Sequence, residues 1–284
     1  MNEGYITLRL TAFDGALPVI GASISIFDMD GNMLKSITTD GNGVTERIEL
    51  PGPPVQTQFD PSSQIKPYTP YIIDIIAQNY RRVVIKGVQI FGESSSTLPV
   101  NMMPGDPSQT DEFDIGLNAI ETGSQSGRES APPTLSTGRI HREVFIPTHI
   151  RVHLGRPGAN ARILTVPFID YIKNVASSEI YPSWPYHSLR ANIHAQISLA
   201  LNRVFTEWYR GKGYNFDITN STQFDQYFVE NRNIYDSVSV IADEIFNTYI
   251  LRPPGIEPYF AEYCNGTTAT CPGMKQWGTV DLEF

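Results

Sequence analysis

The sequence is poor in cysteine and in positive charge. It has 2 Cys among 284 residues, and 21 Lys and Arg stand against 30 Asp and Glu, a formal net charge of 21 − 30 = −9. So few cysteines exclude a small disulfide-stapled scaffold. An isoelectric point near 5.0 argues against a nucleic-acid or anionic-membrane surface, because both need a positive footprint. We therefore expect neither nucleic acid nor a membrane among the partners.

Long apolar runs and common catalytic motifs are also missing. No run approaches the roughly 18 apolar residues of a spanning helix, and the opening residues MNEGY lack the basic and apolar regions of a secretory signal. The absence of GxSxG, HExxH, GxGxxG, Walker and EF-hand patterns excludes α/β-hydrolases, zincins, kinases and P-loop NTPases. At 40% hydrophobic and 18% charged residues, the composition predicts a soluble globular protein of two domains.

A polar stretch marks the division between these domains. Residues 123–138 read GSQSGRESAPPTLSTG, and 11 of the 16 are Gly, Ser, Thr or Pro. Such a segment cannot bury enough apolar surface to offset its ordering entropy. We predict a first domain at 1–104, a flexible linker at 105–143 and a second domain at 144–284. Residues 1–144 carry 10 basic and 17 acidic side chains (net −7), and 145–284 carry 11 and 13 (net −2).

The first domain shows the period of two that is typical of half-buried strands. Apolar and polar residues alternate near its start, and Asp-Gly turn signals follow at Asp14, Asp30 and Asp40. Further strands are predicted at 44–50, 70–78 and 81–90. Because no stretch shows a convincing helical period, the pattern predicts a small antiparallel β-sandwich.

The second domain changes to a helical period. A helix of roughly 10 residues is predicted after Pro167. A longer one of about six turns is predicted to end near Gly211. A third is predicted to begin after Asp236, a good N-cap, and to stop before Pro253. Strand-like pieces lie at 144–154 and 256–264, so this domain is predicted to be α+β.

One carboxylate stands out among the candidates for chemistry. Glu179 lies at the C-terminal end of the first predicted helix, beside Ile180, Tyr181, Trp184 and Tyr186. Aromatic desolvation and the negative helix end would both raise its pKa above the reference of about 4.3. A glutamate kept protonated near neutral pH is what a glycosidic general acid requires. The alternative from these residues alone is an ordinary helix-end glutamate beside core aromatics.

Two family resemblances bear on that choice. The segments TDGNG and YIIDIIAQNYRRVVIKGVQI resemble the transthyretin-like or carboxypeptidase-regulatory type of Ig-like domain. In the second domain, VPFIDYIKNVASSEIYPSWPYHSLRANIHAQISLAL resembles the start of the SpoIID/LytB family domain. STQFDQYF and AEYCNGTTATCPGMKQWG resemble its middle and closing elements, in the same order. The whole pattern is similar to the clostridial spore-cortex-lytic enzymes of that family.

The resemblance implies a peptidoglycan lytic transglycosylase that acts on the spore cortex during germination. Glu179 occupies the position of the family's catalytic glutamate. Tyr263 and Gln276 match positions lining the cleft, Gln226 matches the glutamine of the middle element, and Arg203 is a further substrate-binding candidate. The family reaction gives 1,6-anhydro products, so one carboxylate suffices, unlike in ordinary glycosidases. No cofactor and no metal are implied.

The resemblance also implies an inactive proenzyme. A subtilisin-like Csp germination protease would activate it by a cut that we place between Gly138 and Pro147, and residues 1–143 are predicted to inhibit the rest. Such a protein would lie in the cortex or coat region of the spore, made in the mother cell without a signal peptide.

Departures from the family pattern keep other functions open. The family's arginine falls at Ile197 here, with Arg203 or Arg190 as substitutes, its glutamine falls at Asn192 and its serine at Lys275. A non-catalytic peptidoglycan-binding or spore-structural protein is therefore the alternative. A third and weaker option is a phage-tail or secreted adhesin whose second domain is a delivery lysin.

The two cysteines allow three interpretations. Cys264 and Cys271 could form a disulfide, remain free thiols, or bind zinc together with His194 or His187. Zinc is the least supported, because a structural site needs four closely placed ligands.

Overall fold

Strands dominate the first part of the computed structural model, which describes residues 2–122, 125–126 and 143–282. The chain divides into two compact units. The first consists of Met1–Gly116 together with Glu230–Ser237, and the second of Leu117–Val229 together with Val238–Phe284.

The helices and strands of the described residues follow one another in this order: β1 (Asn2–Ala12), β2 (Leu17–Pro18), β3 (Ser23–Phe27), β4 (Met33–Thr38), β5 (Ile48–Gly52), β6 (Tyr68–Ile76), β7 (Arg82–Phe91), β8 (Ser95–Asn101), β9 (Thr110–Asp114), α1 (Ala119–Thr122), β10 (Gln125–Ser126), β11 (His149–His153), β12 (Ile163–Pro167), α2 (Phe168–Glu179), α3 (Tyr186–Phe205), β13 (Ile218–Thr219), β14 (Ile234–Tyr235), α4 (Asp236–Ile245), β15 (Tyr263–Cys264), β16 (Met274–Lys275) and α5 (Gln276–Asp281).

The first unit is a β-sandwich of two sheets. In one sheet β1 pairs with β2, β5 and β8, and β14 pairs with the far side of β8; the other sheet has the order β4-β3-β6-β7-β9. Alternate residues of β1, such as Ile6 and Leu8, are fully buried, as period-two strands with one buried face require. Contacts of β1 and β5 with β7 join the sheets. The chain is thus a mixed α/β protein with several sheets.

The predicted antiparallel sandwich also contains two parallel strand pairs. β1 pairs with β8 in parallel, and so does β7 with β9. The strand between β7 and β9 in sequence, β8, lies in the opposite sheet. The chain therefore crosses from the sheet that contains β7 to the other sheet and back, and β9 runs in the same direction as β7.

The first unit also extends beyond residue 104, where the linker was predicted to begin. Thr110–Asp114 forms the edge strand β9, whose acidic side chains face basic ones on the neighbouring strand. Arg81 lies 2.6 Å from Asp111, and Lys86 lies 3.0 Å from Glu112. The acidic side chains of this part of the predicted linker thus have partners within the sheet. Of the polar stretch 123–138, only Gln125–Ser126 falls within the described residues.

The second unit contains α1, α2, α3, α5 and most of α4, together with two small sheets of the described residues, β12-β11-β13 and β10-β15-β16. α2 begins after Pro167, as predicted, because proline at a helix start has a preset φ and needs no N–H partner. α3 ends at Phe205 rather than near Gly211, because Glu207 turns to a φ of 47°. The predicted strands at 144–154 and 256–264 shorten to β11 and β15. No helix among the described residues is both long and apolar enough to cross a membrane.

Candidate active site around Glu179

Glu179 is placed by the end of a helix. It is the last residue of α2, because Ile180 adopts an extended conformation with φ −134° and ψ 162°. Proline cannot continue a helix, and Pro182 and Pro185 separate α2 from α3. The side chain of Glu179 is only 1% exposed.

Three donors hold the Glu179 carboxyl. The backbone N–H of Tyr227 donates to Oε1 at 2.7 Å. The side-chain amide of Gln196 donates to Oε2 at 2.9 Å, and the hydroxyl of Tyr263 donates to the same oxygen at 2.5 Å. Both carboxyl oxygens are therefore acceptors, which is how buried carboxylates are satisfied in proteins.

A relay of hydrogen bonds leads to this carboxyl from further inside the unit. Tyr171 donates its hydroxyl proton to Oε1 of Gln226 at 3.0 Å. The amide of Gln226 donates to the Tyr263 hydroxyl oxygen at 3.1 Å and to the Gln196 carbonyl at 3.0 Å. Because the Tyr263 oxygen already accepts from Gln226, its own proton is directed at Glu179. Burial raises the pKa of Tyr171 well above its ordinary value, so that phenol remains a donor.

Two opposing effects act on the charge of Glu179. Burial disfavours the ionised carboxylate, as was argued from the sequence. The three donated hydrogen bonds favour it, and these were not visible in the sequence.

Gln276 reaches Glu179 in a different way. Its amide donates to the backbone carbonyl of Glu179 at 3.3 Å, so in this structure it secures the end of α2 rather than the carboxyl. Next to it Trp277 packs against Trp184, with ring centroids 4.9 Å apart. The predicted aromatic neighbour Tyr186 is not part of this cluster, since it is 44% exposed and donates its hydroxyl to Glu244.

Sequence reasoning missed Gln196. It lies one helical turn after Asn192, on the face of α3 that meets α2, and is fully buried. The family's glutamine follows an alanine, and this chain has such an Ala-Gln pair at Ala195-Gln196, four residues after Ala191-Asn192. Because residues four apart lie on the same face of a helix, aligning the family pattern with this second pair would have indicated Gln196.

Arg203 is not placed as a substrate-binding residue would be. Its side chain is fully buried, and Nε donates to Oδ1 of Asp225 at 2.7 Å. The hydroxyl of Tyr209 and both the backbone and side chain of Thr219 donate to Oδ2 of the same aspartate. In this structure the pair therefore braces the segment that carries Gln226. Ile197, at the family's arginine position, is also fully buried.

Part of the predicted linker at 105–143 packs on this side of the second unit. Strand β10 pairs with β15, so that Ser126 lies opposite Tyr263. The side chain of Asn265 donates to the carbonyl of Ile120 in α1 at 3.1 Å. Beside α1 lies a cavity of about 360 Å³ lined by Leu117, Ala119, Thr122, Thr222 and Tyr227. The cavity therefore extends to Tyr227, whose backbone N–H donates to Glu179.

A wider cavity of about 600 Å³ lies elsewhere in the second unit. Its lining includes Glu262, Arg252, Tyr259 and Phe260. Burial raises the pKa of the Glu262 carboxyl, and the charge of Lys275 lowers it to a smaller extent. Aromatic faces beside charged groups give this cavity both stacking and hydrogen-bonding capacity.

A disulfide fixes the loop that follows Tyr263. Of the three interpretations of the cysteines, the structure has the bond between Cys264 and Cys271. Met274 then returns to donate to the carbonyl of Glu262 at 2.9 Å, and only glycine fits at 273, where a Cβ would lie 1.8 Å from that carbonyl oxygen.

Metal ligation finds no support in the described part of the chain, where no group of three or more potential ligands occurs. His153, for instance, has its ring nitrogens 3.2 Å and 3.1 Å from the carbonyls of Gly155 and Ala159.

Comparison with known proteins does not identify a family. No family profile matches the chain, and no curated protein does. A 5-hydroxyisourate hydrolase of Klebsiella pneumoniae is 18% identical over 36% of this chain and 92% of its own, with a TM-score of 0.25. The major pilin subunit BcpA of Bacillus cereus, as its D312A variant, is 19% identical over 39% of this chain and 28% of its own, with a TM-score of 0.23. The TIE protein of Bacillus anthracis is 16% identical over 36% of this chain and 17% of its own, with a TM-score of 0.26. These likenesses carry no argument about function.

Proposed function

We propose that the chain is the precursor of a peptidoglycan lytic transglycosylase that cleaves MurNAc–GlcNAc bonds of the spore cortex during germination. It would correspond to SleC, the clostridial spore-cortex-lytic enzyme, which its sequence pattern resembles. The observation that carries the proposal is the convergence of Gln226 and Tyr263 on Glu179. These residues come from three separate family-like motifs, and they form one continuous hydrogen-bond relay.

In this reaction Glu179 first donates a proton to the substrate and then accepts one from it. As the acid, it gives its proton to the glycosidic oxygen while the bond to the anomeric carbon breaks. It then accepts the proton of the C6 hydroxyl as that oxygen attacks the same carbon, which closes the 1,6-anhydro ring and restores the acid. Tyr263, held by Gln226, donates to the carboxylate in the intermediate state and so stabilises it.

The buried state of Glu179 is consistent with a proenzyme. A sugar must reach a carboxyl that is 1% exposed, and the pairing of β10 with β15 secures the covering segment. A cut by a subtilisin-like Csp protease after residue 126 would free the C-terminal end of that segment. The cavity around Glu262 would hold a further part of the glycan, since sugars bind aromatic faces and carboxylates.

The experiment compares intact and cut protein on purified cortex. A specific protease site replaces residues 131–137, and released muropeptides are separated by chromatography and identified by mass. We expect anhydro-muropeptides from the cut protein only, and a fall of about 10²–10⁴-fold with Glu179→Gln, the range for loss of a general acid–base group. Glu244→Gln, an exposed glutamate of the same unit, is the matched control and should leave the rate unchanged. Equal product from Glu179→Gln and from the unsubstituted protein would show that Glu179 is not the acid.

The second candidate function is glycan binding without cleavage. The observation that favours it is the full satisfaction of Glu179 by three donors, as in a structural buried carboxylate, together with Ile197 in place of the family's arginine. Cortex binding that persists in Glu179→Gln, with no anhydro product from any form, would decide for it.

A further inference from the structure

A short segment from the C-terminal part of the chain completes the first unit. Residues Glu230–Ser237 belong to that unit, although the residues on both sides of them, Val229 and Val238, belong to the second. Strand β14 pairs antiparallel with β8, with Ile234 opposite Thr97 and Tyr235 opposite Ser96. The sandwich is therefore assembled from two stretches of chain that lie on opposite sides of residues 127–142.

The contacts of this segment converge on Gln89 of β7. The Arg232 guanidinium, fully buried, donates to Oε1 of Gln89 at 2.7 Å. Asn233, also fully buried, donates to the Gln89 carbonyl at 2.9 Å and to Oγ of Ser96 at 3.1 Å. The amide of Gln89 in turn donates to the carbonyl of Gly116 at 3.0 Å. Buried polar groups of this kind are costly to separate, because each partner would be left unsatisfied.

An aromatic contact adds to these hydrogen bonds. Tyr235 is 1% exposed, and its ring meets that of Phe91 edge to face with centroids 5.2 Å apart. Its hydroxyl donates to the Gln89 carbonyl at 3.2 Å. Residues of β7 and β8 therefore form a binding site in the first unit, and the segment Arg232–Tyr235 occupies it.

We propose that Arg232–Tyr235 is a docking strand that keeps the sandwich attached to the C-terminal part of the chain after a cut within 127–142. Such a cut breaks one chain connection, but β14 remains in the sheet with its buried partners. Proteolysis then cleaves the backbone, but the N-terminal piece stays bound and the net charge of the particle changes little. This inference does not depend on the proposed activity, because it concerns how two segments of the chain stay together and involves no reaction.

The test uses the full-length chain with a specific protease site in place of residues 131–137. After complete cleavage, judged on a denaturing gel, we expect the two pieces to elute together from a sizing column at the mass of the intact chain. The amides of Ile234 and Tyr235 should keep their protection against hydrogen exchange. Separation of the pieces in native buffer, or loss of that protection on cutting, would overturn the proposal.

Variants distinguish the docking strand from the other contact of the N-terminal piece, the α1 and β10 segment on the second unit. We expect Arg232→Met to let the cut pieces separate at a lower urea concentration than the unsubstituted protein. Arg9→Met, at an exposed arginine of the same unit, should have no effect. The proposal fails if Arg232→Met separates at the unsubstituted urea concentration while Asn265→Ala, which removes the bond to Ile120, releases the pieces.

Discussion

The hydroxyl of Tyr263 donates a hydrogen bond to Oε2 of Glu179 at 2.5 Å, across 84 residues of sequence. This bond joins the strand that precedes the disulfide loop to the last residue of α2. Gln226 fixes the direction of that donation, so Tyr263 orients the carboxyl together with Gln196 and the backbone N–H of Tyr227.

Removing this hydroxyl should therefore affect chemistry and stability together. We expect Tyr263→Phe to lower the rate of anhydro-muropeptide release on the order of 100-fold, as for loss of a positioned proton-transfer partner. It should also cost about 1–3 kcal/mol of unfolding free energy, because Gln226 and Glu179 lose a buried partner. Release assays and urea unfolding measure the two effects.

Tyr171→Phe is the matched control, since it removes an identical group two hydrogen bonds further along the relay. It should cost similar stability but much less activity. If the two variants lose activity equally, Tyr263 acts only through the packing of the relay.

Much of the local structure could be predicted because its causes are local. Pro167 sets the start of α2, and the Asp-Gly turns and period-two strands indicate the sandwich. Glu179, Tyr263 and Gln226 could be named as candidates because the motif that contains each one is contiguous in sequence, and the structure brings their side chains together.

What could not be predicted depends on partners far along the chain. Nothing in Glu230–Ser237 indicates that it would complete a sheet built from residues before 116, because its partners there include Gln89 and Ser96, more than 130 residues earlier in the sequence. Arg203 is a substrate-binding candidate from the sequence because it could substitute for the family's arginine, which falls at Ile197. Its buried ion pair with Asp225 could not be predicted, because 22 residues separate the two in sequence.

The buried Arg203–Asp225 pair should be important for stability. We expect Arg203→Met to lower the unfolding free energy by about 3–5 kcal/mol, because it leaves Asp225 buried without its charge partner. Arg210→Met removes a similar contact to Asp217 whose arginine is 40% exposed, and it should cost about 0–1 kcal/mol. Urea unfolding of both variants checks this. Equal losses would mean that burial of the pair adds nothing.

Stability should depend on pH through His194. Burial lowers the pKa of this histidine, and the nearby charge of Arg190 lowers it further, against an opposing hydrogen bond to the Arg190 carbonyl. The folded-state pKa thus lies below the unfolded value of about 6.5, so the unfolded chain holds more protons as pH falls. The free energy of unfolding therefore decreases as pH falls from about 7 through the pKa of His194 in the unfolded chain. It levels off below the pKa of His194 in the folded protein.

Thermal unfolding between pH 7.5 and 5 measures this loss. His194→Gln should flatten the profile in that window, and His187→Gln, at an exposed histidine of the same helix, should leave it as it is. An unchanged profile in His194→Gln would assign the pH dependence to other groups.

The disulfide between Cys264 and Cys271 should stabilise the strand that carries Tyr263. It closes a loop with a sequence separation of 7, for which loop-closure entropy gives about 2.5 kcal/mol. We expect the double variant Cys264→Ala/Cys271→Ala to unfold at lower urea concentration by that amount, and a reducing agent to have the same effect on the unsubstituted protein. Because β15 also pairs with β16, Tyr263 should stay in place and the cut double variant should keep most of its activity. A complete loss of activity with the fold intact would show that the disulfide positions Tyr263 against Glu179 as well as stabilising the loop.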